Sequence, residues 1–156
     1  MTETPTLEVG QAAPEFRLRG PGGQYVSLSE YKGKKHVVVV FFPLAFSPVC
    51  SHQLPDLERD LRRFESLDAV LVGVSVDSHY ANEAFARSLD LSFPLLSDFD
   101  RAVSQAWGML IPEKGYSGRA LFIVDKQGRI AYRDVAPTPA EIPPREHVIA
   151  ALERLS

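Results

Sequence analysis

Residues 36–42 constrain the fold of this chain more than any other segment. Val37, Val38, Val39, Val40, Phe41 and Phe42 follow one another with no polar residue between them, so an extended backbone here is apolar on both faces. β-Branched and aromatic side chains favour a strand, and a strand with two apolar faces must be covered on both, as in the parallel interior of an α/β sheet. Pro43, which lacks an N–H for the ladder, ends it. Leu54, Leu57, Leu61 and Phe64 then recur at spacings of three and four, with Glu58, Arg59, Arg62 and Arg63 between them. That is the pattern of an amphipathic helix over about residues 48–64.

The alternation continues with an apolar strand over residues 69–76, a helix over 79–89, the segment Pro94, Leu95, Leu96 and Ser97, and a short helix over 102–107. Residues 119–124 and 128–133 flank the turn formers Asp125, Lys126, Gln127 and Gly128, which predicts an antiparallel hairpin. A last helix spans about residues 144–155, and residues 16–19 and 24–28 form a small hairpin around Gly20, Pro21, Gly22 and Gly23. A βαβ unit followed by a hairpin and a terminal helix is the order of the thioredoxin fold. The expected class is α/β, three-layer α/β/α, with an N-terminal β-hairpin extension and an inserted helical segment.

With 156 residues, 45% of them hydrophobic, and no long linker, one domain over residues 1–156 is expected. Its 17 basic and 20 acidic side chains are dispersed, which speaks against a nucleic-acid or anionic-membrane partner. No apolar run approaches the ~18 residues of a spanning helix, and the first residues lack a basic and apolar leader, so the expected location is cytoplasmic. The single cysteine excludes an internal disulfide and zinc sites built on cysteine pairs. His36, His52, His79 and His147 are scattered, so neither metal nor cofactor is expected.

That cysteine, Cys50, follows Ser47 and Pro48, a helix-start signal: the serine hydroxyl can cap a free N–H, and proline at the first helical position loses no hydrogen bond. Cys50 therefore falls in the first turn, where unpaired N–H groups and the positive end of the helix dipole favour a thiolate. Ionisation alone is a modest source of rate. At pH 7 a free thiol is already a few per cent ionised, so complete ionisation is worth only ~30-fold, about 2 kcal/mol. The remaining acceleration of a reaction at this sulfur has to come from donors aimed at the charge that develops on its leaving group. Ser47, whose hydroxyl both accepts and donates, is one, and the N–H groups of Val49 and Cys50 are others. Arg119, at the start of an expected core strand, could add a charge, although position alone does not single it out among the arginines.

The spacing Pro43, Ser47, Cys50 resembles the Pro-x-x-x-Thr/Ser-x-x-Cys signature of the peroxiredoxins, and Arg119 matches that family's catalytic arginine. The likeness extends through residues 9–16, 41–46, 93–98 and 102–108 and is greatest to the one-cysteine AhpE group. It implies reduction of hydrogen peroxide, alkyl hydroperoxides and peroxynitrite through a sulfenic acid on Cys50, regeneration by an external thiol or a thioredoxin-, glutaredoxin- or mycoredoxin-like protein, and a homodimer. Leu44, Phe46, Trp107, Met109, Leu110 and Ile111 lie in or next to expected loops and could be core, pocket lining or dimer surface; the resemblance implies that they share pocket and dimer contacts and that Pro43 shields the sulfur. Ser47 replaces the commoner threonine. Gln53 stands where many members carry glutamate, so a hydrogen bond to Arg119 can persist without the charge. Pro55 inside the helix predicts a kink near residues 51–55.

Two other functions compete. A thiol–disulfide oxidoreductase needs Cys-x-x-Cys, and here Ser47 occupies the first position. A non-enzymatic thioredoxin-like binding domain would carry Cys50 as an inert core residue.

Overall fold

A computed structural model describes residues 5–155. The chain begins with β1 (Arg17–Arg19) and β2 (Tyr25–Ser27), an antiparallel hairpin around a 3-10 turn at Pro21–Gly23. It continues with β3 (His36–Phe41), α1 (Pro48–Arg59), α2 (Leu61–Ser66), β4 (Ala69–Ser75) and α3 (His79–Ser88). Then come β5 (Leu95–Ser97), α4 (Ala102–Ala106), the two short strands β6 (Leu110–Ile111) and β7 (Tyr116–Ser117), β8 (Ala120–Val124), β9 (Ile130–Val135) and α5 (Arg145–Arg154).

Among the described residues the main sheet has seven strands in the order β2-β1-β5-β4-β3-β8-β9. β3, the apolar run, is parallel to β4 and antiparallel to β8, and every residue of it is buried. Its alternating side chains enter two cores, as the pleat requires. Val38, Val40 and Phe42 pack with Leu54, Leu57, Phe64, Phe85 and Leu152 beneath α1, α2, α3 and α5. Val37, Val39 and Phe41 pack on the other face with Trp107, Phe122, Phe16 and Leu18. The expected three layers are present, but the second outer layer consists of α4 and the N-terminal segment and is mostly non-helical.

The expected helix over residues 48–64 is divided at Asp60, whose ψ of 5° leaves the helical region. Arg145 of α5 binds Asp60 Oδ2 at 2.5 Å and Asp56 Oδ2 at 3.4 Å, a tertiary contact that periodicity does not register. Pro55 lies inside α1, which runs unbroken from Pro48 to Arg59. The hairpin β6–β7 has no counterpart among the elements expected from the sequence. Trp107 and Met109, assigned to pocket and dimer contacts from the sequence, are core residues, 0% and 4% exposed. Trp107 stacks among Phe16, Phe41 and Phe122, with ring centroids 5.2 to 6.3 Å apart. Gly73 in β4 is required by close approach: a Cβ there would lie 2.6 Å from Leu95 Cδ2 and 3.2 Å from Phe42 Cε1. No described helix is long and apolar enough to cross a membrane.

Candidate active site

β3 delivers the chain to Pro43 at its C-terminal end, and residues 43–47 turn it into α1. Pro48 is the first helical residue and Cys50 the third, so the N–H groups of Val49 and Cys50 have no acceptor within the helix. Ser47 occupies the N-cap position, but its side chain makes no capping hydrogen bond. This corrects the expectation that the hydroxyl serves the helix. Its Oγ is buried without a partner among the described residues, so its whole donor and acceptor capacity is uncommitted beside Cys50.

Cys50 is completely buried. Arg119, one residue before β8, reaches it from the neighbouring strand: Nη2 donates to Cys50 Sγ at 3.0 Å, Nη1 to Gln53 Oε1 at 2.6 Å and Nε to the Pro139 carbonyl at 2.9 Å. The antiparallel pairing of Ala120 with Phe41 puts the arginine at the end of β3 where the cysteine loop begins. Its guanidinium, 1% exposed, forms no ion pair with a carboxylate among the described residues. Apart from the sulfur, the buried cation bonds only neutral oxygens. The Gln53–Arg119 hydrogen bond is present, while Gln53 Nε2 is buried without a partner among the described residues.

Pro43 is buried, Val49 is half-buried, and Leu44 and Phe46 are exposed at 38% and 57%. Phe46 has φ of +66° and stacks on Phe85 with centroids 4.9 Å apart. A bulky residue in this left-handed region costs ~1–3 kcal/mol. One charge-assisted hydrogen bond offsets it: Asp77 Oδ2 accepts the Ala45 N–H at 2.8 Å, a contact worth ~1.5–3 kcal/mol. Ser117 Oγ donates to the Phe42 carbonyl at 3.3 Å on the other side of Pro43. Sequence reasoning missed both Asp77 and Ser117. Asp77 had one available signal, its position just past the C-terminal end of a parallel strand, where open α/β sheets build their sites. His52, two residues beyond Cys50, is exposed and takes no part in this cluster.

The AhpC/TSA family profile matches residues 9–133. Alkyl hydroperoxide reductase E of Mycobacterium tuberculosis is 39% identical over 138 residues, 87% of this chain and 90% of that protein. The chain is a peroxiredoxin. Bacillus subtilis peroxiredoxin Bcp is 35% identical over 96% of both chains. Mycobacterium tuberculosis AhpC superposes with a TM-score of 0.86 at 29% identity, covering 97% of this chain and 94% of that one. Reduced 2-Cys peroxiredoxin of Plasmodium vivax gives 0.87 at 26% identity, covering 94% and 81%. This peroxiredoxin is thus a thiol-dependent peroxidase on a thioredoxin fold, and the reading of an inert binding domain is not favoured. With one cysteine, it fits the AhpE-like group.

Proposed function

We propose that the chain is one peroxidase domain over residues 1–156 in which the Cys50 thiolate attacks the distal oxygen of a hydroperoxide. The observation that carries this is the 3.0 Å contact of Arg119 Nη2 with Cys50 Sγ inside a fully buried cluster. The S–O bond forms as the O–O bond breaks, the departing alkoxide or hydroxide takes a proton and leaves as alcohol or water (peroxynitrous acid instead releases nitrite), and Cys50 becomes a sulfenic acid. Arg119, the Ser47 hydroxyl and the N–H groups of Val49 and Cys50 stabilise the charge moving onto the departing oxygen. Pro43 shields the sulfur, Gln53 orients Arg119, and Leu44 and Phe46 form the rim that meets substrate and a second copy in a homodimer. Hydrogen peroxide, alkyl hydroperoxides and peroxynitrite are the substrates.

The chain contains no second cysteine to condense with the sulfenic acid. An external thiol therefore forms a mixed disulfide with Cys50 and releases water, and a second thiol frees the cysteine. A low-molecular-weight thiol or a thioredoxin-, glutaredoxin- or mycoredoxin-like protein in the cytoplasm supplies both. Purified protein without thiol is expected to consume about one equivalent of peroxide per chain, stop, and give a trappable sulfenic acid at Cys50 by mass spectrometry. Sustained turnover without thiol, or equal peroxide consumption by Cys50→Ser, would refute the assignment.

A further inference from the structure

We propose that Asp77 is a positioning residue for the reaction, holding the Cys50 loop in its reactive geometry through the backbone of Ala45; this rests on the assignment of Cys50 as nucleophile. The loop of residues 43–47 decides where the first turn of α1 stands, and it passes through the left-handed conformation at Phe46 one residue before the N-cap. The hydrogen bond from Ala45 N–H to Asp77 Oδ2, at 2.8 Å, joins the residue beside that strained position to a part of the chain 32 residues away.

Asp77 is itself fixed from several elements. Ser75 Oγ donates to the same Oδ2 at 2.7 Å and lies 3.1 Å from Asn82 Oδ1 of α3. The Asp77 carbonyl accepts from Ser97 Oγ of β5 at 2.6 Å, and Asn82 Nδ2 donates to the Leu96 carbonyl at 3.2 Å. A carboxylate that only closed its own turn would need no partner in the cysteine loop. Here the carboxylate is held by Ser75 of β4, which also meets Asn82 of α3, the main chain of Asp77 is held by Ser97 of β5, and the carboxylate extends one contact, to the segment that carries the nucleophile.

Two reactions of the same thiol distinguish this role from general stabilisation. Peroxide reduction needs the sulfur aligned with Arg119 and Ser47, whereas alkylation by iodoacetamide needs only access to a sulfur that is fully buried while the loop is closed. Releasing the Ala45 anchor should misplace the first turn and open it, and a displacement of about 1 Å at a reacting group costs up to ~100-fold in rate. The two rates should therefore move in opposite directions.

The test measures single-turnover reaction of Cys50 with hydrogen peroxide, and its alkylation by iodoacetamide, in the full-length wild type, Asp77→Ala and Asp77→Asn. Asp77→Ala is expected to slow the peroxide reaction by roughly 10- to 100-fold and to speed alkylation. Asp77→Asn keeps a side-chain oxygen for the Ala45 N–H and should restore a near wild-type ratio of the two rates. A wild-type ratio in Asp77→Ala, or a proportional fall of both rates, overturns the proposal. Amide exchange in the reduced wild type decides the matter even where Asp77→Ala does not fold: the Ala45 N–H should be protected, and exchange at the unprotected rate overturns the proposal. Cys50→Ser measured alongside separates the two levels. Wild-type protein whose Cys50 is untouched by peroxide removes the nucleophile assignment itself, whereas a reactive wild type with an unchanged ratio in Asp77→Ala removes only the role of Asp77.

Discussion

At the scale of single residues, the site sets a buried cation against a buried sulfur, with neutral oxygens at the other two hydrogen bonds of the guanidinium among the described residues. Such an arrangement can act in two ways, by holding the thiolate or by stabilising the transition state. Their magnitudes differ. Ionisation is worth at most about 2 kcal/mol, while removing one preorganised donor from a dry site costs ~10²- to 10³-fold in rate. Arg119→Met is therefore expected to slow peroxide reduction by about 100-fold or more, measured at a pH where Cys50 is ionised in both proteins. Equal rates under those conditions would show that the guanidinium serves ionisation alone. Ser47 shows the limit of local rules at this scale. Its sequence position is that of a helix cap, yet its hydroxyl makes no such bond and is buried without a partner among the described residues.

At the scale of elements, α1 contains a proline that withholds a hydrogen bond from the Ser51 carbonyl, in the turn just after Cys50. Pro55→Ala restores the donor and should raise stability by roughly 1 kcal/mol or more, read from the urea midpoint. If the missing bond eases opening of the first turn, the same variant should also form its mixed disulfide with added thiol more slowly after oxidation. An unchanged rate would assign Pro55 to stability only. β3 carries a pH dependence at its opposite end. His36 is 7% exposed with Nδ1 unpartnered among the described residues, and burial, followed by the Lys126 charge, pushes its pKa below the usual 6.5 against the opposing pull of Asp125 and Asp68. As pH falls through about 6.5, the unfolded chain takes up a proton that the folded chain rejects, so stability declines until the folded-state pKa is passed. The urea midpoint should be lower at about pH 5.5 than at about pH 7.5, and His36→Gln should flatten that difference. Asp68, drawn down to about 2 by its hydrogen bonds with Lys126 and Lys35, loses its contribution only as pH falls from about 3.8 through about 2. A slope between about pH 5.5 and 7.5 that survives in His36→Gln would point to other groups.

At the scale of the whole molecule, the sheet brings residues from β3, α1, β4 and β8 to one end, and that end also exposes Leu44 and Phe46. Large exposed apolar side chains on an active-site loop suit a surface that a second copy covers. Sedimentation of the native protein should therefore give a dimer and Phe46→Asp a monomer with unchanged circular dichroism; a monomeric native protein would leave these residues to the substrate alone. Much of this architecture is readable from the chain itself. The apolar run of β3, the periodicity of α1, the hairpin signal at Asp125 to Gly128 and the Ser47-Pro48 start that sets Cys50 in a first turn are all dictated by neighbours within a few residues. Local sterics and hydrogen bonding act at that range, so sequence alone determined them. Tertiary structure decided the rest. It selected Arg119 from among the arginines, because only the pairing of β8 with β3 brings a residue 69 positions away to the sulfur. It put Trp107 and Met109 in the core where their loop positions left core, pocket and dimer surface open, and it divided the helix at Asp60, whose carboxylate pairs with Arg145 of α5. It also linked Asp77 to the cysteine loop. In each case the deciding partner is distant along the chain, and its energy exists only after the sheet order has closed the intervening segment.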